Sequence, residues 1–193
     1  MGKTILVLIN GHAGVGKDTF VDFCREYAEE THPCRVYNIH RSDAPKIALH
    51  SLGWKGEKNE SARSLLKHMV DFMEENGILN DYLDEQIRAA VKVNSKDIII
   101  FYHVRDPKVM YELMDRYIEE ENIFPISLLV KRDLKEQKEP DEWWGDLETA
   151  EYQMTLQLKN GLDSSKMAAQ GFIDFLLDEE WEIVKNEGSE ENE

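Results

Sequence analysis

The apolar run from Thr4 to Asn10 (TILVLIN) passes without a break into Gly11-His12-Ala13-Gly14-Val15-Gly16-Lys17-Asp18-Thr19. Branched aliphatic residues without alternation suit a strand covered on both faces, as in a parallel sheet sandwiched between helices. From Lys17 to Glu30, residues Phe20, Val21, Cys24 and Tyr27 or Ala28 fall at helical spacing, so the unit reads strand, glycine loop, helix. Glycines let such a loop curl so that its backbone N–H groups face one point and approach it closely. The helix N-terminus behind the loop adds a partial positive charge, and the Lys17 ammonium adds a full one. This is a cradle for a polyphosphate anion, and its order of residues is the G-x-x-x-x-G-K pattern of a P-loop. Gly11, His12, Ala13, Gly14, Val15, Gly16, Lys17, Asp18 and Thr19 are therefore the expected ATP-binding residues, with Lys17 near the β and γ oxygens.

One position departs from the pattern. Ser or Thr ordinarily follows the lysine and offers its hydroxyl to Mg²⁺, whereas this chain has Asp18. A carboxylate is also a hard oxygen ligand, so Asp18 is a candidate metal ligand, with Thr19 as a neighbouring hydroxyl. The alternative is that Asp18 only complements the positive end of the helix.

Beyond the loop, strands and helices alternate. Strands are expected at Arg35–His40, Asp97–Val104 (DIIIFYHV), Ile126–Val130 and, as an edge strand, Tyr152–Leu158. Helices are expected at about 45–52, at 61–75 with Ser61 as cap, and at 81–93, 107–121 and 164–177. The alternation predicts a three-layer α/β/α domain with a mostly parallel sheet of about five strands. It spans residues 1–186, with an insert at about 41–95 and a charged excursion at about 131–147 that reads as a mobile lid. Trp143 and Trp144 within that excursion either stack on a base or anchor the segment. Residues 187–193 (EGSEENE counted from Glu187) form an acidic tail unable to bury enough surface to order itself.

Charge narrows the partners. With 39 acidic and 23 basic residues the formal net charge is −16, which repels nucleic acid and anionic membranes. No apolar run approaches the roughly 18 residues of a membrane span, and no cleavable leader precedes the first strand. Cys24 and Cys34 form no metal-ligand spacing and read as buried reduced thiols. The cytoplasm is the expected compartment, and the expected partner is a small-molecule phosphate acceptor. A homodimer is left open.

The GKDT sequence of the loop resembles P-loop kinases of the deoxynucleoside monophosphate kinase type, and is similar to the GKD loop of phosphomevalonate kinases. SDAPKIA at 42–48 is similar to an Asp-x-x-Lys motif after the second strand of these kinases, matching at Asp43 and Lys46. FYHVRDP at 101–107 looks like their strand-end Asp-Val-Arg motif, with Arg105 matching and His103 in the place of the acid. LLVKR at 128–132 resembles the strand leading to a lid arginine, and LKNG at 158–161 resembles the turn before the last helix. The resemblance implies a nucleoside or nucleotide kinase-like fold with a short lid, and ATP-dependent transfer of the γ-phosphate to a (deoxy)nucleoside monophosphate with ATP and Mg²⁺ as cofactors. Other small phosphorylated acceptors (phosphomevalonate, dephospho-coenzyme A) and a non-catalytic nucleotide switch are the alternatives.

A monophosphate acceptor attacks with an oxygen that is already anionic, so alignment and charge neutralisation suffice and no strong base is required. Lys17, Arg132 and Arg105 are the expected catalytic cations. Arg132, at the start of the lid, is expected to close over the γ-phosphate. Asp43, Lys46, Arg63 and Arg105 are the expected acceptor-binding residues, Arg63 and Arg105 through bidentate contacts, and Arg41 is a weaker candidate. His103 either leaves a metal-organising role to Asp106 or serves as a hydrogen-bonded supporting group.

Overall fold

The computed structural model describes residues 2–57, 59–93, 96–133 and 144–178. In chain order the elements are β1 (Thr4–Asn10), α1 (Lys17–Thr31), β2 (Cys34–His40), α2 (Asp43–Ser51), α3 (Glu60–Glu75), α4 (Ile78–Val93), β3 (Asp97–His103), α5 (Pro107–Ile118), β4 (Ile123–Arg132), α6 (Trp144–Thr149), β5 (Met154–Leu158) and α7 (Leu162–Leu177). Most of the expected lid, residues 134–143 with Trp143, lies outside the described residues, as do the side chain of Trp144 and the acidic tail.

The five strands form one sheet in the order β2-β3-β1-β4-β5, and every pairing is parallel. All seven residues of β1 are buried, as expected for an unalternated aliphatic run at the centre of a sheet. Its side chains divide between two cores. Ile5, Val7 and Ile9 join Phe20, Val21 and Cys24 of α1 and Ala169, Phe172 and Ile173 of α7. Leu6 and Leu8 join Leu83 and Ile87 of α4 and Met110 and Leu113 of α5. Burying each such side chain contributes about 1.5–3 kcal/mol, so β1 ties both layers together. Phe20, Phe101 and Phe172 pack ring on ring across α1, β3 and α7, with centroids 5.6 to 6.4 Å apart. β5 is the edge strand that its sequence predicts.

Several boundaries shift for local reasons. α3 is capped by Asn59, whose Oδ1 accepts from Ala62 N at 2.8 Å, rather than by Ser61. α4 starts at Ile78 rather than Asp81, because Gly77 turns the chain at φ 73° and the next helix follows directly. β4 extends three residues before Ile126, Pro125 included, since β5 joins it only from Leu128 onward. Cys24 and Cys34 are free and buried, and burial pushes the Cys34 thiol up to about 11. Among the described residues no helix is long and apolar enough to cross a membrane.

In a parallel sheet all carboxyl ends lie at one edge. Here that edge carries Asn10, His40, His103, Arg132 and Leu158 as the last residues of the five strands. β1 is the point where the strand order reverses, with β3 on one side and β4 on the other, and ligands of open α/β sheets collect in the crevice that such a reversal opens at the carboxyl ends of the strands.

Candidate functional site

The loop after β1 is fixed at its start by three neighbouring segments. Asn10 is buried. Its Oδ1 accepts from Gly11 N at 2.8 Å and its Nδ2 donates to the Arg105 carbonyl at 3.1 Å. Gly11 has φ 140°, and a Cβ there would lie 2.2 Å from the Val130 carbonyl oxygen of β4. Only glycine passes through that gap. Gly14 and Gly16 also have positive φ, 86° and 92°, and Gly16 is the N-cap of α1 with no side chain capping the helix. The amides of the first turn of α1 thus face the loop. Lys17 Nζ lies over it, donating to the Gly11 carbonyl and, at 3.0 Å, to that of His12.

Arg132 closes the other side of the loop. A Cβ on Gly16 would come within 3.2 Å of Arg132 Nη1 and 3.5 Å of its Cζ, so the guanidinium lies against the turn leading into α1. It is held there by Nη2, which donates to Ser165 Oγ at 2.7 Å. Ser165 is buried in the first turn of α7 and donates in turn to the Gly161 carbonyl at 3.3 Å. Sequence reasoning missed Ser165, because nothing local marks a serine that supports an arginine 33 residues away.

Two histidines stand on the opposite side of β1. His40 and His103 are register partners at the ends of β2 and β3, so their rings project from neighbouring strands on one face. They stack with centroids 4.0 Å apart and planes at 17°. Both present Nε2 to Asp18 Oδ1, at 3.3 Å from His40 and 3.7 Å from His103. The His103 side chain is only 11% exposed, and its Nε2 donates to Asn38 Oδ1 at 2.7 Å. Burial first, then the nearness of His40 and Lys17, hold its pKa down to about 3. The ring is therefore neutral and hydrogen-bonded. The Asp106 carboxylate caps α5, accepting from Lys108 N at 2.8 Å. His40 was missed as a site residue. Its signal was its place at the end of a strand adjacent in register to His103, which single-sequence periodicity does not give.

Asp18, His40 and His103 place three possible ligand atoms within 4.8 Å of one another. One is a carboxylate oxygen and two are imidazole nitrogens. Mg²⁺ takes hard oxygen donors in octahedral geometry, so this donor set does not fit it, although Asp18 alone would.

The expected acceptor residues are less tightly grouped. Asp43 begins α2 and accepts from the His40 backbone N at 2.7 Å, while Lys46 reaches back to it at 3.5 Å. The pair thus stiffens the turn that carries His40. Arg105 is exposed just beyond β3, one residue from Val104, whose N–H donates to the Ile9 carbonyl. Arg41 is paired with Glu74 of α3 and is mostly buried, with burial lowering its pKa; it serves to tie the 41–95 insert to the sheet edge. Arg63 lies exposed on α3, a helix that packs against α2 and α4, and no described contact links it to the loop.

No protein-family model matches the chain, and no curated protein matches it. Solved structures do. The tunicamycin resistance protein of Deinococcus radiodurans matches at 16% identity and TM-score 0.52, covering 91% of this chain and 96% of that one. The APS kinase of Mycobacterium tuberculosis matches at 12% identity and TM-score 0.47 over 92% and 100%. A gluconokinase from Sinorhizobium meliloti matches at 13% and TM-score 0.46 over 90% and 93%. Identity this low speaks to fold alone, here an α/β fold with a five-stranded parallel sheet between helices.

Proposed function

We propose that the chain is an ATP-dependent kinase that passes the γ-phosphate to a small phosphorylated acceptor, most specifically a (deoxy)nucleoside monophosphate. The observation that carries this reading is the loop from Gly11 to Thr19, placed at the point where the sheet order reverses, with Lys17 above it and Arg132 locked against Gly16. Backbone amides and Lys17 hold the β- and γ-phosphates. Arg132 neutralises charge as the bond between the γ-phosphorus and the bridging oxygen breaks. Arg105, beyond the end of β3, grips the acceptor phosphate and aims its anionic oxygen at the γ-phosphorus, with Arg63 approaching from the insert. Nothing in this sequence of events needs a strong base, which agrees with a site of cations and a neutral His103.

The test is ADP release followed across a panel of nucleoside monophosphates, with phosphomevalonate and dephospho-coenzyme A alongside. ADP formation that depends on one of the nucleoside monophosphates supports the reading. Dependence on another phosphorylated metabolite moves the acceptor class, and ATP binding without any acceptor-dependent turnover makes the protein a nucleotide switch.

A further inference from the structure

We propose that Asp18, His40 and His103 form a binding site for a first-row transition-metal dication at the mouth of the phosphate cradle. Three elements converge to build it: the first turn of α1 supplies the carboxylate, and the register of β2 on β3 supplies two stacked imidazoles. The two Nε2 atoms reach the same Asp18 oxygen at 3.3 and 3.7 Å. Donors bound at about 2.0–2.2 Å in a tetrahedral site stand about 3.3–3.6 Å apart, so the two carboxylate–imidazole spacings suit an ion, and the stacked rings, now at 17° to each other, must tilt for both Nε2 lone pairs to meet on it.

The chemistry of the donors selects the ion. Imidazole nitrogen beside one carboxylate suits Mn²⁺, Co²⁺, Ni²⁺ or Zn²⁺, whereas Mg²⁺ and Ca²⁺ want oxygen throughout. A histidine binds a metal through the unprotonated nitrogen of its neutral imidazole. Three protein ligands leave a position open, the pattern of a metal that also binds a small molecule, and Asp18 directly follows Lys17 of the phosphate cradle. Asn38 competes for the same nitrogen of His103. When the metal takes Nε2, the ring proton moves to Nδ1 and the contact with Asn38 is given up, so Asn38 tunes the affinity. The site itself exists without nucleotide; its use in phosphoryl transfer rests on the kinase reading above.

The experiment is a Co²⁺ titration of tag-free, chelator-stripped protein without nucleotide, read by visible absorption. One Co²⁺ per chain is expected, with d–d bands of low coordination number that persist in millimolar Mg²⁺. His40→Gln and His103→Gln should each weaken binding by about tenfold or more, the scale on which metal sites respond even to loss of a supporting contact. Asn38→Ala should preserve or tighten it. Absence of Co²⁺ binding, binding indifferent to both histidine substitutions, or equal displacement by Mg²⁺ would overturn the proposal. Circular dichroism checks that each variant is folded. Should His103→Gln unfold, His40→Gln decides, since that ring is 34% exposed and its loss leaves the core intact. ATP binding measured separately in the same protein keeps the two readings apart: Co²⁺ bound without ATP affinity refutes the nucleotide site and leaves the metal site standing.

Discussion

His103 is an imidazole whose pKa burial lowers. In the unfolded chain a histidine takes up its proton near 6.5, and folded His103 does so only near 3. Between these values the unfolded state binds the extra proton, so this contribution to stability is present above about pH 6.5 and is lost as pH falls toward 3. The slope from one such group is at most about 1.4 kcal/mol per pH unit. Urea unfolding of the chelated protein at pH 7 and pH 5 should show that loss, and His103→Asn should flatten it; equal slopes in both proteins would mean that the ring titrates normally. Gly11 makes a different demand, purely steric. Gly11→Ala would place a methyl group 2.2 Å from the Val130 carbonyl at a φ that L-residues avoid. A stability loss of at least about 2 kcal/mol is expected, and a loss below about 0.5 kcal/mol would show that the loop takes another path.

At the scale of elements, β4 and α7 cooperate through Arg132 and Ser165. Ser165→Ala removes a hydrogen bond to a charged group, worth about 1.5–3 kcal/mol, and frees the guanidinium from Gly16. Affinity for ATP should fall several-fold with the fold retained, and unchanged affinity would make Ser165 only a filler of space in α7. The end of β3 makes the contrasting case. Arg105→Ala should raise the acceptor KM about 10–100-fold, as loss of a charge-assisted contact predicts, while affinity for ATP alone stays put; collapse of ATP affinity would assign Arg105 to the donor. These elements differ in how far their sequences announced them. β1, the loop and α1 were legible because their signals are local: seven apolar residues, glycines where φ is positive, apolar spacing in the helix. The meeting of His40 with His103 was not, because it depends on the register of strands whose partners lie 63 residues apart, beyond what periodicity encodes. Asn59 displaced Ser61 as the cap of α3 because both are good cap residues, and only the backbone path chooses between them.

For the whole molecule, the parallel sheet turns five separate stretches of sequence into one edge, and the candidate groups other than Lys46 on α2, Arg63 on α3 and Ser165 on α7 lie on the loop, at a strand end or just beyond one. That concentration would let a chain of net charge −16 receive the proposed polyphosphate: the favourable field is local, made by Lys17, Arg132, Arg105 and the first turn of α1. The sequence motifs could place those cations near strand ends, but could not show that Arg41 is spent on Glu74 or that Asp43 is spent on the turn after β2. The proposed reaction is phosphoryl transfer at this edge, through the loop. Its most direct test compares wild type with Lys17→Ala for ADP release from ATP, with and without the best monophosphate acceptor, after circular dichroism has shown both to be folded. Release should depend on acceptor in the wild type and fall by about a hundredfold in the variant, about 2.7 kcal/mol of lost transition-state stabilisation. Turnover in Lys17→Ala within about threefold of the wild type would contradict it.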